Sequence, residues 1–154
     1  MRVRSVSVRD LAAREVVTVT PGATLAECAQ IMREQHVGSV VVIDDKGSHD
    51  RPSGIVTDRD IVVEAVALGL DPATLTAGDV MATPLATVRE GDDILDALAR
   101  MRENGVRRLP VLDDAGQLCG IVAIDNLLEA MSEQLDAVVG VIKSEQTRES
   151  ATRR

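Results

Sequence analysis

The sequence predicts an α/β (α+β) fold: two pseudo-symmetric β-α-β-β-α repeats packed through their sheets, followed by an extended C-terminal helix. Three observations carry this. The stretch Gly54 Ile55 Val56 Thr57 Asp58 Arg59 Asp60 Ile61 returns as Gly120 Ile121 Val122 Ala123 Ile124 Asp125 Asn126 Leu127. A shift of roughly 69 positions superposes Thr18 on Thr87, Gly22 on Gly91, Met32 Arg33 Glu34 on Met101 Arg102 Glu103, and Asp44 Asp45 on Asp113 Asp114. Short β-branched runs alternate with segments of helical period in both halves.

In chain order, Val8 to Ala12 reads as a helical turn and Val16 to Thr20 as a brief extended segment, closed by the turn-forming Pro21 Gly22. Thr24 and Glu27 form a capping box, and Leu25, Cys28, Ala29 and Met32 recur at helical spacing, so a helix runs from there to near His36. Val40 to Ile43 is a buried strand, stopped by Asp44 Asp45 Lys46 Gly47. The Gly54 strand then enters a helix with Ile61, Val62, Ala65, Val66 and Leu68 apolar and Gly69 at its C-terminal end.

The second half repeats this order, with Gly78 Asp79 Val80 Met81 in the place of the first turn and Ala86 to Gly91 in that of Val17 to Gly22. The register slips by about three residues in the polar loop, where an insertion costs least. Beyond it, Leu128, Met131, Leu135, Val138 or Val139, and Ile142 follow a 3,4,3,4 spacing on a helix expected to reach about Thr147, with a frayed tail. That stripe outlasts a compact unit, so it either covers its own core or forms the seam of a homodimer.

A strand ending at a helix start aims unpaired N–H groups and a dipole's positive end at one point, which favours an anion. Thr57 and Asp60 add a hydroxyl and a carboxylate there. The same pair also reads as a capping box.

Composition narrows the function. Of 154 residues 45% are hydrophobic, enough for one compact domain or two small ones sharing a core, and the formal charge is −8. The acidic balance disfavours nucleic acid and anionic membrane as partners. The absence of Phe, Tyr and Trp removes the platforms on which single-stranded nucleic acid stacks. No run approaches a membrane span, so a cytoplasmic location is expected.

Catalytic groups are sparse. His36 and His49 lie in unlike contexts, Asp44 Asp45 and Asp92 Asp93 are turn formers and caps, and no nucleophile elbow or Walker loop occurs. Neither an enzyme nor a metal site is expected. Cys28 and Cys119 read as two buried thiols, with a disulfide between them the alternative.

Two such repeats, each closing on Gly-aliphatic-aliphatic-x-x-x-Asp/Asn-aliphatic, resemble a tandem pair of cystathionine-β-synthase (CBS) domains. The resemblance implies repeats at 8–70 and 79–132, a linker at 71–78, and a C-terminal helix extension at 133–154. It also implies a stand-alone regulatory module that binds AMP, ADP or ATP between the repeats, requires no cofactor and acts on an effector protein. In that family the Thr/Ser-x-x-Asp hydroxyl lies near phosphate and the carboxylate on the ribose diol, which Thr57 and Asp60 match. Ala123 and Asn126 replace them in the second repeat and imply a degenerate site. Arg107 and Arg108 precede the Pro-containing strand as the family's phosphate-binding residues do, with Arg59 a further candidate, and Val19, Val40 and Val56 are expected against the adenine. The alternative is a ligand-free or redox-responsive interaction scaffold.

Overall fold

The computed structural model describes residues 6–44 and 50–153. The expectations placed on Asp45 to Gly47, His49 and Arg154 lie outside the described residues.

Each half contains a three-stranded sheet with the same topology. In the first, β1 (Thr18–Val19) pairs in parallel with β2 (Ser39–Ile43), which pairs antiparallel with β3 (Pro52–Thr57). In the second, β4 (Val88–Arg89), β5 (Arg108–Leu112) and β6 (Leu118–Ala123) repeat that order. Pairing of Val40 with Val56 matches that of Leu109 with Val122. The repeat read from sequence is therefore a repeat of register.

The helices begin where their caps allow. In α2 (Leu25–Gln35) the Thr24 hydroxyl accepts the Glu27 amide at 3.1 Å while Glu27 accepts the Thr24 amide at 2.8 Å. Asp93 caps α5 (Ile94–Asn104) through the Leu95 amide at 2.9 Å. Both end in a left-handed residue, His36 in α2 and Gly105 in α5. After β3, α3 (Asp58–Ile61) widens into a π-helical stretch over Val62–Val66, and Gly69 at φ +67° turns the chain away.

Strand alternation sorts the side chains. One face of the first sheet puts Val19, Val40, Val42 and Val56 into a core with Leu25, Cys28 and Met32. In the second, Leu109, Val111 and Val122 join Ile94, Ala97 and Leu127. The opposite faces carry Val41, Ile55 and Pro110, which are buried yet belong to neither core. The halves meet there.

The short turns cross over. Helix α1 (Val8–Leu11) buries Val8 in the second core, and α4 (Ala77–Val80) buries Ala77 in the first. Backbone hydrogen bonds fix both: Val8 donates to Asp92 and Ala13 to Ile121, while Ala77 donates to Ala23 and Gly78 to Pro21, all at 2.7–2.9 Å. The Arg9 guanidinium adds a 2.8 Å ion pair with Glu90. The crossing explains the repeated glycine. A β-carbon on Gly120 would stand 2.9 Å from the Ala13 carbonyl oxygen, and one on Gly54 would stand 2.7 Å from the Met81 β-carbon.

The last helix, α6 (Ile124–Thr152), runs further than the sequence predicted. At its polar end Ser144, Thr147, Ser150 and Thr152 each bond back to the carbonyl four residues earlier at 2.6–2.9 Å, so their hydroxyls are satisfied within the helix. Among its described residues only Leu127 and Ala130 are buried. No helix is long and apolar enough to cross a membrane, among the described residues.

Candidate functional site

Strand β3 delivers Thr57 to the start of α3, and the capping box read from sequence is formed. The Thr57 hydroxyl accepts the Asp60 amide at 3.2 Å, and Asp60 Oδ2 accepts the Thr57 amide at 2.8 Å. The box leaves chemistry in hand: a hydroxyl keeps its own hydrogen to donate, and Asp60 Oδ1 makes no hydrogen bond among the described residues. The next amide, Asp58, donates to the Gly38 carbonyl at 3.0 Å.

The second junction is built alike with fewer groups. Asn126 Oδ1 accepts the Ala123 amide at 2.9 Å, and Ile124 donates to the Arg107 carbonyl at 2.9 Å. Asn thus performs the backbone half of the task Asp60 performs, without the charge, and Ala123 supplies no hydroxyl.

Both junctions open on one cleft between the repeats. Its volume is about 580 Å³, and its lining includes Thr57, Arg59 and Asp60 from the first repeat and Arg107, Arg108 and Ala123 from the second. That is within the range of small-molecule sites. Arg107 and Arg108 come from a different repeat than Thr57, Arg59 and Asp60, so only the assembled pair brings them together. Among the described residues Arg59, Arg107 and Arg108 have no ion-pair partner.

The apolar wall expected from Val19, Val40 and Val56 is corrected by the structure. Val40 and Val56 are fully buried in the first core and Val19 nearly so, and none lines the cleft. Thr57 points into the cleft, so by strand alternation its neighbour Val56 points away, whereas Ile55 shares the face of Thr57. The apolar lining includes Ile55, Ala82, Val106 and Ile124. Following the period of two back from Thr57 finds Ile55 from sequence; Ala82 and Val106 carry no such signal.

Cys28 and Cys119 are free thiols packed with different cores, Cys28 fully buried in the first and Cys119 half-buried against the second. Burial pushes both thiols up from their ordinary range, with Glu27 adding to Cys28 and Glu90 to Cys119. Among the described residues no three His, Cys, Asp or Glu side chains gather as a metal site would need.

Known proteins share this architecture. A relative from Methanopyrus kandleri, described only as uncharacterised, is 43% identical over 126 residues, covering 82% of this chain and 63% of that protein. The chain thus spans less than two thirds of that relative's length. Hypoxic response protein 1 of Mycobacterium tuberculosis is 36% identical over 136 residues, covering 88% of this chain and 91% of that protein. The crystal structure of Hypoxic Response Protein I holds two coordinated zinc ions and superposes with a TM-score of 0.70 over 81% of this chain and 98% of that one. A CBS domain protein from Pyrobaculum aerophilum, complexed with AMP, is 30% identical with a TM-score of 0.72, covering 79% of this chain and 90% of that one. The CBS domain family model matches twice, at residues 8–66 and 77–133. With repeat, register and junction motifs in agreement, the chain belongs to the CBS-domain family as a tandem pair.

Proposed function

We propose that this CBS pair is a cytoplasmic regulatory module that binds one adenosine-type nucleotide in the cleft between its repeats and signals its occupancy to an effector protein. The observation that carries the reading is the convergence of Thr57, Asp60, Arg59, Arg107 and Arg108 on one cleft. Asp60 Oδ1 accepts from the ribose diol, the Thr57 hydroxyl donates to phosphate, and the arginines neutralise it. Ile55, Ala82 and Val106 flank the base. The AMP complex of the Pyrobaculum relative supports the ligand class.

Occupancy acts by population shift: a ligand held by both repeats favours the packing that brings their two sets of groups together. Nothing in this mechanism asks for bond making, so the role is regulatory rather than catalytic.

The test is calorimetry with AMP, ADP and ATP. Asn126 shows that an amide at this helix position still accepts the backbone amide, so Asp60→Asn keeps the cap and removes only the charged acceptor. It should weaken binding by roughly tenfold or more, since a hydrogen bond to a charged group contributes about 1.5–3 kcal/mol. Asn126→Ala should change affinity little. No heat with any of the three nucleotides, in protein freed of co-purified ligand, rejects the reading.

A further inference from the structure

We infer that Arg108 sets how many nucleotides the cleft can hold: its guanidinium stands where the second junction would need a cation of its own, so the cleft has one phosphate position. The inference rests on the nucleotide reading above. It goes beyond that reading in naming Gly38 and Arg108, rather than Ala123 and Asn126, as the pair that fixes the number bound.

The repeat defines a counterpart for each group of the site. A shift of 69 positions takes Gly38 to Arg107 and Ser39 to Arg108. The backbone keeps the same relation: Asp58 donates to the Gly38 carbonyl at 3.0 Å and Ile124 to the Arg107 carbonyl at 2.9 Å, while Ser39 pairs with Thr57 and Arg108 with Ala123 across their strands. One arrangement joins Thr57 and Asp60 of the first repeat to Arg107 and Arg108 of the second. Exchanging the repeats gives its counterpart, which joins Ala123 and Asn126 to Gly38 and Ser39.

The counterpart thus lacks both cations as well as the hydroxyl and the carboxylate. Arg108 reaches into the space this leaves, since a β-carbon on Gly38 would stand 2.8 Å from its Nη2 and 3.4 Å from its Cζ. Backbone conformation does not call for a glycine here: among the described residues the glycines at positive φ are Gly69, Gly105 and Gly116. What the missing side chain of Gly38 provides is room, and a single guanidinium fills it.

Charge then limits the count. Arg59, Arg107 and Arg108 share the cleft lining with Asp58, Asp60 and Asp125, so no cation is in surplus. A phosphate held on the Thr57 side uses Arg108. A second phosphate, arriving from the Asn126 side, meets the charge of the first with no cation of its own. Rebuilding a hydroxyl and a carboxylate at the second junction adds one more negative charge and leaves that shortage in place.

Equilibrium dialysis of the full chain against radiolabelled AMP, after removal of co-purified ligand, counts the molecules bound at saturation. Wild type should take up one per chain. The double variant Ala123→Thr, Asn126→Asp copies the capping box that Thr57 and Asp60 form, so it should fold, and it should still take up one. Adding Gly38→Arg displaces Arg108 and returns a cation to the counterpart, which should raise the count to two. A wild type that takes up none overturns the nucleotide reading and this inference together. With one AMP bound to wild type, a double variant that takes up two leaves the reading standing and overturns the inference, as does a folded triple variant that stays at one. Two bound to wild type overturns the inference alone. Should the triple variant fail to fold, the count for the double variant decides.

Discussion

Arg108 of the second repeat lies across Gly38 of the first: a β-carbon on Gly38 would stand 2.8 Å from Arg108 Nη2 and 3.3 Å from Asp58 Oδ2. The glycine is therefore what lets the guanidinium fold over the start of α3. By the repeat shift Gly38 corresponds to Arg107, so one repeat gives room where the other gives charge. Gly38→Ala should push Arg108 out of the cleft. Calorimetry should show AMP binding weakened by about threefold to tenfold, with a melting temperature near that of wild type, because the side chain that must move is long and partly exposed.

The cleft is roomy and electrically balanced. Arg59, Arg107 and Arg108 face Asp58, Asp60 and Asp125 on its lining. Volume does not separate a monophosphate from a triphosphate at this size, but charge does, because each further phosphate brings negative charge that no surplus cation offsets. Without magnesium, AMP should bind about tenfold more tightly than ATP, and the double variant Asp58→Asn, Asp125→Asn should narrow that ratio. Titrations at two salt concentrations check the cause, since screening shrinks the difference.

Gly120→Ala should destabilise the fold rather than the site. The new methyl would stand 2.9 Å from the Ala13 carbonyl oxygen and 3.3 Å from the Ala12 β-carbon, and Ala13 is held in a backbone pair with Ile121. No flexible side-chain end is available to yield. Denaturant unfolding should record a loss of about 1–3 kcal/mol, the usual range for overpacking.

Asp79 gives a pH test. It accepts the Thr76 amide at 2.9 Å at the start of α4, and that backbone hydrogen bond, followed by one from the Thr76 side chain, lowers its pKa. A carboxylate depressed in the folded state contributes stability above its unfolded pKa of about 3.9, and that contribution is lost as pH falls through the folded value. Asp79→Asn should therefore melt below wild type at pH ~7, with the gap closing under pH ~3. Thermal scans across that window read it.

What was legible from the sequence was local or periodic. Thr57 and Asp60 stand three residues apart, and a cap is decided within one turn; the strands announce themselves by β-branched runs. The destination of α1 was not legible, because four residues with one buried valine carry no mark of which core accepts Val8. The trace of the crossing was present in Gly54 and Gly120, whose missing side chains make room for chain arriving from elsewhere. The adenine wall is not where apolar character alone puts it, because strand alternation turns Val40 and Val56 away from Thr57 and into the first core. The end of α6 was not legible because no residue of the apolar stripe marks the helix beyond Ile142.

The exchange of α1 and α4 also decides what the ends of the chain report. The backbone of Val8 and Ala13 is latched to the second repeat, through Asp92 and Ile121, and not to the first repeat that follows it in sequence. A domain fused upstream would therefore ride on the half that supplies Arg107 and Arg108, and so would anything carried by α6. Helix α1 and the start of α6 are thus both anchored in the second core, and the half bearing Thr57 and Asp60 lies between them in sequence.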